Sequence, residues 1–281
     1  MRVSSKRPPP PAPPRLSPLV DAHTHLDACG AKDADDVRAI VDRAAAVGVV
    51  AVVTIADDLA SARWATQAAD WDRRVYAAVA LHPTRADALT EGARAEIERL
   101  AAHPRVVAIG ETGMDLYWPG RLAGCAEPTV QREAFAWHID LAKRTGKPLM
   151  IHNRDADADV LDVLRAEGAP DTVIFHCFSS GAELARACVD AGWLVSLSGT
   201  VSFRNASELR EAVPLIPAAQ LLVETDAPFL TPHPHRGAPN APYCLPYTAR
   251  ALAELIDRPA DELAEITTDN ARRTYGLAEE G

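Results

Sequence analysis

The residues with the most chemistry to offer in this sequence sit at the ends of apolar runs. Asp21-Ala22-His23-Thr24-His25 closes the first run, and in an extended chain, with its period of two, His23 and His25 leave the same face. Two imidazoles so placed form a metal clip. A lone pair of this kind is common, but Glu111 follows Ala108-Ile109-Gly110, His152 follows Met150-Ile151, His176 follows Ile174-Phe175, and Asp226 follows Val223-Glu224-Thr225. Independent placement does not produce such a pattern. Two carboxylates converging with four neutral imidazoles in one mouth would repel each other and lose solvation, and divalent cations remove both penalties. The simplest partition gives one ion His23, His25 and Asp226, a second ion His152 and His176, and makes Glu111 the bridge. Mixed nitrogen and oxygen ligands suit Zn²⁺ or Mn²⁺ better than Mg²⁺, though geometry decides among the three.

Further groups flank this set. Asp226 could take a proton from an attacking water while it remains a ligand, which makes it, with Glu111, the candidate catalytic pair; ligand alone is the other reading. Arg154, two residues past His152, points the same way and could fork onto a substrate phosphate or form a surface ion pair. His82 ends the third apolar run and could contact substrate phosphate, hold an extra ion, or be structural. Asp115 could support a ligand from behind or bind an extra metal ion, Glu224 could orient a ligand histidine, and either could instead cap a strand end.

Eight elements must carry these groups. Strand candidates are Leu19–Ala22, Val49–Thr54, Val75–Ala80, Val106–Gly110, Leu149–His152, Thr172–His176, Trp193–Leu197 and Leu221–Glu224, with helical periodicity between them and a last helix over Ala260–Tyr275. Near-continuous apolar strands imply burial on both faces, as in parallel sheets wrapped by helices. Eight such units predict a closed (β/α)₈ TIM barrel with its metal site at the C-terminal ends of the strands. A doubly wound open sheet competes, but no GxGxxG follows the first strand.

At 281 residues the chain suits one barrel, over 18–281, preceded by a Pro-rich N-terminal extension (1–17) expected to be disordered. The formal charge of −10 argues against a broad basic surface that coats nucleic acid, while leaving room for a local phosphate-directed site. Five cysteines without a CxxC pair suggest neither a disulfide framework nor a thiolate zinc site, and fit a cytoplasmic, reducing location. No stretch reads as a membrane span, and no obligate protein partner is evident.

From Val20 to Tyr275 the chain resembles the TatD-like family of metal-dependent deoxyribonucleases. The resemblance lies in Asp21-Ala22-His23-Thr24-His25-Leu26, Leu81-His82-Pro83, Gly110-Glu111-Thr112-Gly113-Met114-Asp115, Ile151-His152-Asn153-Arg154, His176-Cys177-Phe178-Ser179 and Glu224-Thr225-Asp226-Ala227-Pro228. The stretch from Arg236-Gly237 to Asn240-Ala241-Pro242 is similar to the family's substrate-side loop. Ala80-Leu81 ahead of the His-Pro pair, and His138 where a second glutamine is frequent, depart from the family pattern. The resemblance implies an amidohydrolase-like barrel, two divalent metal ions on the six ligands named above, and phosphodiester hydrolysis in DNA by a metal-activated water, exonucleolytic on single-stranded or frayed ends. It leaves RNA open, and also, as an alternative, hydrolysis of an ester or amide bond such as that of a D-aminoacyl-tRNA.

Overall fold

The computed structural model describes residues 7–277. Eight parallel strands follow one another around a barrel in chain order: β1 (Leu19–Thr24), β2 (Val49–Ile55), β3 (Val75–Val79), β4 (Val106–Asp115), β5 (Leu149–Arg154), β6 (Val173–Phe175), β7 (Leu194–Leu197) and β8 (Leu221–Val223). Around them lie α1 (Ala34–Ala45), α2 (Leu59–Trp71), α3 (Glu91–Ala101), α4 (Pro128–Thr145), α5 (Asp157–Glu167), α6 (Ala182–Ala191), α7 (Ser207–Ala212), α8 (Leu245–Leu255) and α9 (Ala260–Tyr275). Three helices start at a side-chain acceptor: Asp33 caps the backbone N–H groups of Asp35 and Asp36, Asp58 forms a capping box with Ser61, and Thr90 accepts from Ala93 N. No helix among the described residues is long and apolar enough to cross a membrane, and all five cysteines are unpaired.

The core has two layers. Leu19, Val52, Val79, Ile109, Leu149, Phe175, Leu197 and Val223 face the helices. Val20, Val53, Ala78, Ala108, Met150, Ile174 and Leu222 fill the barrel, where Ala271, Tyr275 and Leu277 from the end of the chain join them. This alternation along every strand is what a filled barrel requires.

The ring is completed between β8 and β1, outside the regular ladder. Asp226 N–H donates to His23 O at 2.9 Å and His25 N–H to Ala227 O at 2.8 Å. Beneath them the fully buried Asp21 accepts from Thr225 N at 2.8 Å and from the Thr225 hydroxyl at 2.6 Å. From outside, Asn270 of α9 donates to Ala218 O and Leu221 O, both at 2.8 Å.

Burial drives the Asp21 carboxyl up to about 8, against the opposing pull of its two bonds from Thr225. The unfolded chain releases that proton at roughly pH 4. Stability from this group is therefore complete below that pH and is lost as pH rises through about 8. We expect Asp21→Asn, which keeps the shape but not the titration, to flatten the decline in Tm of metal-free protein between about pH 6 and pH 9. An unchanged slope would remove Asp21 from this account.

The expectation of disorder through residue 17 needs correction from residue 7 onward; residues 1–6 lie outside the described ones. The Tyr243 and Tyr247 hydroxyls donate to Pro10 O at 2.7 Å and Pro11 O at 3.1 Å, and Arg250 donates to Pro14 O at 3.0 Å. A proline run has carbonyls to satisfy but no N–H groups. The donors on and just ahead of α8 match it, and buried Leu16 fastens its end.

Candidate metal centre

The strands deliver their polar residues to one end of the barrel, and two irregularities aim them. Parity counted from outward-facing Leu19 and Ile109 would turn His23 and Glu111 toward the helices. Register shifts between Asp21 and Thr24 in β1, and between Ile109 and Thr112 in β4, re-aim both side chains into the mouth. His152 and Asp226 keep the inward parity of Met150 and Leu222.

All six proposed ligands meet there. His23 Nε2 and His25 Nε2 lie 3.2 Å apart, and Asp226 Oδ1 is 3.6 Å from the first and 3.4 Å from the second. Glu111 sits centrally: Oε1 is 3.9 Å from His25 Nε2, while Oε2 is 3.4 Å from His152 Nδ1 and 2.6 Å from His176 Nε2. The His23 and His176 rings stack at 3.8 Å. Three sets bring ligand atoms within coordinating reach of one another: His23, His25 and Glu111; His23, His176 and Asp226; and His82, Glu111 and His152. This grouping differs from the simple partition read from sequence, because His176 also sits with His23 and Asp226 while His82 joins Glu111 and His152.

The donor set fits divalent cations. Glu111 Oε2 and His176 Nε2 approach closely in a buried place, yet neither has a hydrogen bond of acceptable angle. Two orphaned lone-pair atoms aimed at a common point are what a shared cation satisfies. Burial alone would strip the proton from His25, but Asp57, Asp226 and Glu111 outweigh it and hold its imidazole up to about 10. Burial opposes a proton on His176 as well, and Glu111 and Glu224 hold that ring well above its ordinary range. In His23, burial and the neighbouring His176 prevail and push the ring well down. The carboxylates thus call for positive charge that protons or metal can supply, so metal must displace protons and should bind more weakly as pH falls.

An outer ring of carboxylates holds the imidazoles. His176 Nδ1 faces Glu224 Oε1 at 3.3 Å, and the same oxygen accepts from Cys177 N at 2.8 Å. His152 Nε2 faces Asp115 Oδ2 at 3.0 Å. Each contact favours the tautomer that leaves the inner nitrogen free as a ligand. Asp115 in turn is held by Gln131, whose Oε1 accepts from Asp115 N at 2.8 Å and whose Nε2 donates to Asp115 O at 3.0 Å.

The sequence reading missed Asp57. It lies 3.5 Å from His25 Nδ1 and completes the ring on the β2 side; the signal was its place just after the apolar run Val49–Ile55. Asp57→Asn should lower metal affinity roughly tenfold, as removal of an orienting carboxylate commonly does, while the metal-free protein stays folded. Metal titration followed by calorimetry checks it, and an unaltered affinity would leave Asp57 a bystander.

His82 reaches the cluster, its ring 4.4 Å from that of His152, with Nδ1 accepting from Thr84 N at 3.1 Å. Burial beside His152 lowers its pKa to about 3. Arg154 makes no ion pair among the described residues. Its guanidinium lies 3.9 Å above the Tyr117 ring and 5.3 Å from that of Trp118, in a loop tied down by Asp115 Oδ1, which accepts from both backbone N–H groups at 3.0 Å. His138 is structural: it is fully buried and takes the Leu81 N–H at 3.3 Å.

Comparison with known proteins gives consistent matches. A family profile described as "TatD related DNase" matches residues 20–276. The chain is 81% identical over 259 residues to the "Uncharacterized metal-dependent hydrolase TatD" of Mycobacterium tuberculosis, covering 92% of this chain and 98% of that protein. It is 33% identical to the "3'-5' ssDNA/RNA exonuclease TatD" of Escherichia fergusonii, over 88% of this chain and 95% of the other. Among solved structures it resembles YJJV, a TatD homologue from Escherichia coli, with a TM-score of 0.84 at 27% identity, over 92% of this chain and 98% of that one.

Proposed function

This chain belongs to the family of TatD-related DNases and is a metal-dependent hydrolase, and from that premise we propose that it is a deoxyribonuclease trimming single-stranded or frayed DNA from an end. Relatives named as 3'-5' exonucleases on single-stranded DNA and RNA support a 3'-to-5' direction and leave RNA as a second substrate. Five free thiols suit a reducing cytoplasm as its workplace.

The observation that carries the reading is the convergence of Glu111 Oε2 and His176 Nε2, buried, 2.6 Å apart and without a hydrogen bond. We assign two divalent ions to His23, His25, His152, His176 and Asp226, with Glu111 shared. Such ions, when bound, supply a nucleophilic water at neutral pH and neutralise charge on the phosphoryl oxygens. The protein's own groups do the rest. Asp226 Oδ1, close to both His23 and His25, is placed to accept the water's proton. Arg154, preorganised over Tyr117, presents fixed donors to a phosphate at the rim. His82 lines the same mouth, with its Nδ1 committed to Thr84.

The test is cleavage of 5'- and 3'-labelled single-stranded DNA by chelator-stripped protein, with Mg²⁺, Mn²⁺ or Zn²⁺ restored singly. Metal-dependent shortening of one labelled end supports the nuclease and gives its direction. Metal-loaded protein that leaves DNA intact but hydrolyses an aminoacyl ester would sink the assignment. An Asp226→Asn variant that kept both its metal and its full rate would remove the base role alone.

A further inference from the structure

The chain has 39 acidic against 29 basic residues, yet one cavity beside the barrel mouth is ringed by positive charge. It has a volume of about 490 Å³ and is lined by Arg204, Arg210 and Arg250, with His233 and Tyr247 between them; Glu254 is the one carboxylate in its wall. None of these three arginines has a carboxylate within ion-pair reach among the described residues. Two are fixed by neutral acceptors: Arg210 Nη1 donates to Val201 O at 2.7 Å, and Arg250 donates to Pro246 O at 3.2 Å and to Pro14 O at 3.0 Å. Carbonyls immobilise a guanidinium without cancelling its charge. Like charges gathered around one cavity repel, and a fixed set of forked donors is the arrangement that receives phosphate.

The cavity connects to the metal centre through two loops. One leaves β7 at Ser198, whose hydroxyl is 3.2 Å from Cys177 Sγ, and runs to Ser202 and Arg204. The other leaves β8 at Asp226 and runs to His233. They are tied where His233 N–H donates to Ser202 Oγ at 2.8 Å. On the same two loops, the Arg236 guanidinium lies 4.3 Å over the Phe203 ring and donates to Asn205 Oδ1 at 3.0 Å.

We propose that this cavity binds backbone phosphates of the nucleic-acid strand several nucleotides away from the bond being cut. The inference rests on the nuclease reading above and adds a second anchoring point to it. A local basic pocket on an otherwise acidic surface grips a flexible single strand that can bend into it, and disfavours a stiff duplex lying across the protein.

The test is fluorescence anisotropy of metal-loaded protein with cleavage-resistant phosphorothioate strands of about twelve and about three nucleotides. Arg204→Gln/Arg210→Gln should raise the Kd of the longer strand about tenfold and reduce its salt slope by about 1.4, at roughly 0.7 per lost phosphate contact, while the Kd of the shorter strand stays within about twofold. Arg204→Glu, on an exposed side chain with no backbone bond to lose, should weaken the longer strand in the same way and guards against misfolding of the double variant. Wild-type Kd and slope in both variants would overturn this inference alone. If wild-type protein neither binds nor cuts strands of any length, the nuclease reading and this inference fall together.

Discussion

Glu111→Ala is expected to lower kcat/KM by at least about 10³-fold, roughly 4 kcal/mol of transition-state stabilisation, for any bond this hydrolase cuts. The carboxylate faces His25 through one oxygen and His152 and His176 through the other. The neighbouring carboxylates are committed elsewhere: Asp226 reaches the His23 and His25 side, Asp57 faces His25 Nδ1, and Asp115 stands behind His152. Bound metal, counted by plasma emission spectroscopy, should fall together with the rate. Metal-free protein should still fold, because the buried imidazoles that faced Glu111 can release their protons once it is gone. A variant with full metal content and full rate would place the centre elsewhere.

Gly113→Ala should cost roughly 3–5 kcal/mol of stability, among the largest single-residue effects available in this chain. At φ +132° the residue occupies backbone space that side chains rarely enter, and an added Cβ would lie 2.2 Å from His152 O and 3.1 Å from Ile151 Cγ2. Both obstacles belong to β5, whose His152 pairs directly with Gly113. Relief would require β4 and β5 to part at the level where they present Glu111 and His152. Urea unfolding of metal-free protein measures the loss. A difference below about 1 kcal/mol would contradict the close strand approach on which the centre's geometry depends.

The fold was legible because each strand announces itself as a short apolar run and each run ends in a polar group. The expected strand Leu149–His152 and the observed β5, Leu149–Arg154, start at the same residue, and the last helix, Ala260–Tyr275, has the expected bounds. Where the side chains point was less legible. Alternation assigns His23 and Glu111 to the wrong face of their strands, and only the register shifts in β1 and β4 correct it; Gly110 inside β4 marks the second, and no residue type marks the first. Asp57 escaped notice because an acidic pair after a strand reads equally well as a helix cap, a part that Asp58 does play. Arg154 was readable as a rim residue, but its seat on Tyr117 depends on a loop conformation held by Asp115. The Pro-rich segment looked unstructured because its composition lacks apolar periodicity, and the donors that hold it lie more than 230 residues away.

The join between first and last strands has a consequence for the chain while it is being made. Asp21 and Thr225 are 204 residues apart, and a ribosome adding about 5–20 residues per second needs roughly 10 to 40 seconds to separate their synthesis. Until β8 emerges, the nascent polypeptide carries His23, His25, Glu111, His152 and His176 without the Asp226 that completes them, and it lacks α9 to brace the seam. Hydrolytic competence then waits until β8 has joined β1, more than 200 residues after β1 was made. Fragments that stop short of β8 would lack the completed centre, and their open strand edges would mark them for proteolysis.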